Sequence, residues 1–201
     1  MKRIGIFGGS FNPIHLGHTA LAAYICEQGL VDEVWLMVSP QNPLKQDLTL
    51  LDENERLTMA RLAVVPYPTL QACGFEFPLP RPSYTYHTLK ALSEAYPDHE
   101  FSLIIGEDNW QCFDRWYRGE DIARETPIIV YPRDVEGNLR VISEMKETHL
   151  SSGGLPKLLP YSSTEVRHLI AEGKDVSHML HPNVAQYIKE KRHYALKTNE
   201  A

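Results

Sequence analysis

Ile4-Gly5-Ile6-Phe7-Gly8-Gly9-Ser10-Phe11-Asn12-Pro13-Ile14-His15-Leu16-Gly17-His18 carries the reading on which the fold depends. The short apolar run from Arg3 to Phe7, stopped at Gly8-Gly9, reads as a buried strand ended by a tight turn. Leu16 to Gln28 then reads as a helix, with Leu21, Tyr24 and Ile25 at helical spacing and Gly29 as its stop. Two glycines bare the backbone where a ligand must come close. The turn delivers the chain into a helix N-terminus, with its unpaired N–H groups and partial positive charge, so this is a phosphate site by geometry. Neither GxGxxG nor GxxxxGK[ST] is present, so it is neither a dinucleotide fingerprint nor a Walker A loop. His15 and His18 share one face if both lie in the first helical turn. Two imidazoles there can donate hydrogen bonds to a developing pentavalent phosphorus. An isolated pair at this spacing also serves as a helix cap and a packing residue, and zinc lacks further His or Cys nearby.

Outward from this turn the alternation repeats. Val34 to Val38 is a second buried strand, followed by a loop bracketed by Pro40 and Pro43. Asp52 and Glu55 form the pattern of a capping box opening a helix to about Val65. Thr69 to Phe75 reads as a strand, the proline-rich Phe77 to Tyr84 as a loop, and Thr85 to Tyr96 as a helix with Leu89 and Leu92 on one face. Phe101 to Ile105 is a strand closed by Gly106, Asn109 to Tyr117 a helix, and Pro127 to Tyr131 a strand. From Pro132 to Pro160 the pattern weakens into short strands and loops. Ser162 to Ala171 is a helix with a second capping box, Ser162 and Glu165. Pro182 to Arg192 is a last helix with proline in its first turn, and the residues after Tyr194 fray. The alternation predicts an α/β fold: a Rossmann-like, doubly wound, largely parallel sheet with helices on both faces. A single domain over residues 1–201 is expected, with a small helical part from about 161. Ligands of such sheets sit at the carboxyl ends of the strands where strand order reverses.

The chain has 201 residues and a net charge of −6, with 43% apolar and 23% charged residues, which excludes a fibrous or wholly disordered polymer. An acidic chain does not offer nucleic acid a broad basic face. The acidity is local, however. The first 46 residues are balanced and residues 161–201 carry +1, leaving −7 between them. The phosphate-type segments therefore escape the bulk charge, which permits a small anion in a local cradle. Cys26, Cys73 and Cys112 form no CxxC pair, which points to free thiols in a reducing cytoplasm. No apolar run reaches the length of a signal peptide or a membrane span.

The stretch from Gly8 to His18 matches throughout the pattern GG[ST]F[DN]PxHxGH and so resembles the HxGH-motif nucleotidyltransferases, most closely the bacterial nicotinate-nucleotide adenylyltransferase family. Later segments resemble the same family in order. Ser39-Pro40-Gln41-Asn42-Pro43-Leu44-Lys45 is similar to a Pro-rich loop that usually ends in His-Lys, with Leu44 in place of His. Arg81-Pro82-Ser83-Tyr84-Thr85 is similar to a PSYT segment at a helix start, where a serine or threonine also suits a cap. Gly106 to Trp116 is similar to GxDxxxxFxxW. Tyr161 to Arg167 is similar to ISSTxxR, with Tyr161 for Ile. That last segment makes a second anion cradle on physical grounds alone, with hydroxyls and N–H groups at a helix start and Arg167 one turn on.

The resemblance implies adenylyl transfer from ATP to nicotinate mononucleotide, giving deamido-NAD and pyrophosphate in NAD biosynthesis. It implies catalytic roles for His15, His18, Lys45 and Arg167. ATP would meet Gly8, Gly9, Ser10, Phe11, Gly106, Asp108, Ser162, Ser163 and Thr164. The mononucleotide would meet Ser83, Tyr84, Thr85 and Trp116, the indole stacking on the electron-poor ring. Trp110 reads as core. Mg²⁺ would be held mainly by ATP phosphates, with no metal site of protein ligands. The expected partners are ATP and nicotinate mononucleotide, with no nucleic acid and no membrane, in the cytoplasm; a homo-oligomer is left open. Rival readings are transfer to nicotinamide mononucleotide or another phosphomonoester, and a non-catalytic nucleotide-binding protein that kept the fold.

Overall fold

The computed structural model describes residues 1–40, 50–132, 139–143, 146–149 and 161–195. Lys45 and most of the loop after the second strand lie outside them. Among the described residues one sheet is formed by β1 (Lys2–Gly9), β2 (Glu33–Val38), β3 (Leu70–Cys73), β4 (His99–Gly106), β5 (Ile128–Tyr131), β6 (Arg140–Ser143) and β7 (Lys146–His149). The spatial order is β3-β2-β1-β4-β5-β6-β7. The first five strands pair parallel, and β6 and β7 extend one edge antiparallel.

Period-two alternation explains the two layers. Val34, Leu36 and Val38 of β2, with Ile104 and Ile129, face α1 (Leu16–Glu27), α2 (Glu53–Val64), α6 (Ser163–Ala171) and α7 (Pro182–Lys191). Ile4, Ile6, Trp35, Met37, Leu103 and Ile105 face α3 (Thr85–Ala95) and α5 (Gly119–Glu125). The C-terminal helices thus bury Val166, Val184 and Ile188 in the same core as α1 and α2. Gly5 is required by packing, since a Cβ there would lie 2.6 Å from Ile104 Cδ1.

Strand order reverses at β1. The chain runs outward through β2 to β3, then returns to lay β4 on the other side of β1. The Gly8-Gly9 and Gly106 ends therefore lie side by side, with Phe7 opposite Ile104 in register. This is the topological switch point of a doubly wound sheet.

Two local expectations are corrected. The helix expected over Asn109 to Tyr117 is instead a single turn, α4 (Glu107–Trp110), then a 3-10 turn over Phe113–Arg115 and an extended Trp116. Phe113 is 6% exposed and packs between Trp110 and Trp116, so burial of one ring breaks the regular helix. Asp52 does cap α2, accepting from Asn54 N at 2.9 Å. Glu55 turns away from the box: its carboxylate takes Tyr187 Oη at 2.7 Å and His193 Nε2 at 2.9 Å. The β6–β7 pair falls where short strands are expected, and α5, for which the sequence offers no reading, has too few residues to show a period.

Candidate active site

His15 is the N-cap of α1, and its main-chain N–H donates to Nδ1 of His18 at 3.2 Å. The two imidazoles stack with centroids 3.6 Å apart and planes inclined by 27°. Phe11 sets the edge of its ring on His18 at 5.0 Å and packs on Phe7 at 5.9 Å. Its φ of 45° is left-handed, a conformation most side chains avoid, and the ring is 2% exposed. Gly8 has nothing within 4 Å of a would-be Cβ, whereas Gly9 would crowd the Phe11 ring at 3.0 Å. The sequence treats the start of α1 as an anion site made of free N–H groups. In the structure Leu16 N donates to Met179 O at 2.9 Å and His18 N to His15 O at 3.0 Å. This end of α1 therefore presents histidine side chains more than backbone donors.

The second cradle folds directly onto the first. Ser162 caps α6, its hydroxyl accepting from Glu165 N at 3.1 Å. Ser163 Oγ donates to Pro13 O at 2.9 Å, and Arg167 Nη1 to Asn12 O at 2.8 Å. Arg167 Nη2 also reaches Thr164 Oγ1 at 3.3 Å. Ser163 and Arg167, which a plain cap leaves unexplained, join the start of α6 to the turn after β1. Tyr161, the departure from the family's Ile, stands edge-on to His15 at 6.5 Å.

Across the switch point a cleft is lined by Gly8, Gly9, Ser10, Ser83, Tyr84, Thr85, Gly106 and Trp116. The structure brings these sequence-predicted residues together, and adds Glu76, Asn109 and Tyr117, which sequence reasoning passed over. Tyr84, not Ser83 or Thr85, is the N-cap of α3. Ser83 Oγ and Trp116 Nε1 are buried without a hydrogen-bond partner among the described residues, so the cleft wall is polar at these two points. Gly106 is held to glycine by crowding, with Asp108 Oδ1 2.6 Å and the Tyr131 ring 3.1 Å from a would-be Cβ. Asp108 is exposed at the start of α4, beside the cleft rather than lining it.

Glu76 is 6% exposed and accepts from Thr88 Oγ1 at 2.8 Å. Burial pushes its carboxyl above the usual carboxylate range. A raised folded-state pKa means stability falls as pH rises from the ordinary carboxylate range to the folded value. Glu76→Gln removes the charge and keeps an acceptor for Thr88. Its melting temperature should therefore exceed that of the unsubstituted protein at pH 8, with a gap that closes on acidification. A pH-independent gap in thermal melts contradicts the buried charge.

The residue least visible from sequence is Arg56, 1% exposed. It donates to Leu51 O at 2.8 Å, Ser10 O at 2.6 Å, Ser39 O at 2.7 Å and Pro40 O at 3.0 Å. It ties together the segments that leave β1 and β2. A helical Arg in an amphipathic segment carries no signal for this role.

The cytidylyltransferase-like family matches residues 6–169. A protein of Bacteroides thetaiotaomicron named as a probable nicotinate-nucleotide adenylyltransferase is 46% identical over 94% of this chain and 91% of its own. One of the same name from Flavobacterium johnsoniae is 41% identical over 96% of this chain and 98% of its own. The chain belongs to the nicotinate-nucleotide adenylyltransferase family. The fold of that family is met in solved structures as well. The Plasmodium falciparum nicotinic acid mononucleotide adenylyltransferase complexed with APC superposes with a TM-score of 0.76 at 22% identity, covering 96% of this chain and 98% of that one. The same protein complexed with NaAD gives 0.72. Nucleotidyltransferases of this family generally use a divalent metal. Among the described residues no three His, Cys, Asp or Glu side chains group as a metal cage, and no helix is long and apolar enough to cross a membrane.

Proposed function

We propose that the protein transfers the adenylyl group of ATP to nicotinate mononucleotide, yielding deamido-NAD and pyrophosphate. The observation that carries this is the meeting, at the switch point, of the HxGH turn, the α6 cradle and the polar-walled aromatic cleft. The mononucleotide's 5′-phosphate is largely dianionic at neutral pH and needs no general base. One of its oxygens forms the new bond to the α-phosphorus as the bond to the leaving pyrophosphate breaks. Catalysis is positioning and charge stabilisation, with no covalent enzyme intermediate. His18 and the Gly9–Phe11 backbone serve the α-phosphate. His15, Lys45 and Arg167, with Ser162, Ser163 and Thr164, serve the leaving pyrophosphate. Gly8, Ser10, Gly106 and Asp108 hold the remainder of ATP, and Ser83, Tyr84, Thr85 and Trp116 hold the pyridine mononucleotide. Mg²⁺ would accompany the ATP phosphates beside Lys45 and Arg167 and would supply charge neutralisation there; the described side chains group into no cage for it. The three free cysteines support a cytoplasmic setting.

Pyrophosphate release from ATP and Mg²⁺ with each candidate acceptor tests the reading. Nicotinate mononucleotide should turn over best; preference for nicotinamide mononucleotide reassigns the acceptor, and no release with any acceptor overturns the proposal. Trp116→Ala should raise KM for the mononucleotide and leave KM for ATP near its starting value, because the indole faces the ring and not the reacting phosphorus. A rise confined to ATP would show that Trp116 is misplaced.

A further inference from the structure

The turn after β1 is held from three directions, and one of them is the far end of the chain. Asn12 is 1% exposed and lies between Phe11 and the histidine pair. Its carbonyl receives Arg167, while its side-chain Oδ1 receives Tyr194 Oη at 2.7 Å and Leu51 N at 3.4 Å. The approach of Tyr194 is built by an unusual backbone. Arg192 ends α7 at φ 53°, and Tyr194 itself stands at φ 63°. Two left-handed non-glycine residues within three positions persist only where surrounding contacts over-determine them. Those contacts are present. His193 N donates to Ile188 O at 3.0 Å, and the His193 ring meets Glu55 of α2, which also takes Tyr187 Oη. Burial pushes the Tyr194 phenol well above its ordinary pKa, so its hydroxyl stays a donor throughout the working pH range.

We infer that Tyr194 is a positioning residue for catalysis: the segment after α7 is a strap whose phenol fixes Asn12 and thereby the backbone and histidines of the HxGH turn. This rests on the adenylyl-transfer reading. Phe11 is itself left-handed in that turn, so its geometry depends on outside support, and a small displacement of a reacting group is costly.

Tyr194→Phe removes one hydroxyl and keeps the ring. It should lower kcat about tenfold with KM for both substrates within about threefold, at temperatures far below its melting point. Tyr187→Phe, which loses the phenol's bond to Glu55 and leaves the Tyr194–Asn12 bond in place, should lower the melting temperature and leave kcat within about twofold. The double variant Asn12→Ala/Tyr194→Phe should be no slower than Asn12→Ala alone, since both act through one bond. Hydrogen exchange over residues 9–18 should quicken in Tyr194→Phe even where no turnover is seen. A Tyr194→Phe enzyme with kcat within twofold of the unsubstituted one, additive losses in the double variant, or unchanged exchange in 9–18 overturns the strap. An unsubstituted protein that turns over no acceptor overturns the function while leaving the exchange test standing.

Discussion

His18→Ala is expected to remain folded and to lose a factor on the order of 10²–10³ in kcat, the range for removing one preorganised transition-state donor. The geometry states which nitrogen matters. Nδ1 of His18 accepts the main-chain N–H of His15, and a ring nitrogen that accepts cannot also carry the proton in the neutral ring. In the neutral tautomer that this bond implies, the proton resides on Nε2. Stacking on His15 and the Phe11 edge fix the ring plane before substrate arrives. The electrostatic return is then realised without reorganisation at the moment of reaction. Single-turnover rates at saturating ATP and mononucleotide measure the loss. Turnover close to that of the unsubstituted protein in a folded His18→Ala variant removes His18 from the chemistry.

Arg56→Met should be the most damaging single change to stability, by about 3–5 kcal/mol. The cause is four backbone carbonyls that lose a charged donor at once around a side chain 1% exposed, each such loss costing about 1–3 kcal/mol before relaxation. Burial already holds the guanidinium below its ordinary pKa, and four carbonyl dipoles compensate its lost hydration. Arg56→Lys should recover only part of the loss, since an ammonium cannot span the same four acceptors. Urea unfolding midpoints give the measurement. A loss under about 1 kcal/mol for Arg56→Met would mean that water replaces the side chain without cost.

The sheet was legible because β1, β2, β4 and β5 are buried on both faces and read as unbroken apolar runs. The first-motif turn was legible because its glycines, proline and histidines sit at fixed offsets within eleven residues. What escaped reading was tertiary. Glu55 fits a local capping box, yet distant partners from α7 and beyond claim its carboxylate. Phe113 fits a helix, yet its pocket breaks one. Arg56 and Tyr194 look like surface and tail residues until the fold brings Ser10 and Asn12 to them across 46 and 182 positions. Spacing encodes contacts along one element; it does not encode which carbonyl a long side chain will find.

The reversal of strand order at β1 has a consequence for how such a protein can diverge. The paired histidines and the α6 cradle belong to the layer of α1, α2, α6 and α7, which also lends Phe7, Ile104 and Tyr131 to the cleft, whereas Tyr86, Leu89 and Phe113 anchor the cleft's other wall in the layer of α3 and α5. The sheet separates the two layers, and they meet in the cleft at the ends of β1 and β4. If the proposed function holds, substitutions on the α3 and α5 side of the cleft should alter which molecule is accepted and leave the paired histidines in place. On the proposed function, a change of acceptor would then be sought first among the cleft residues carried by the α3 and α5 layer, with the shared strand ends of β1 and β4 left alone.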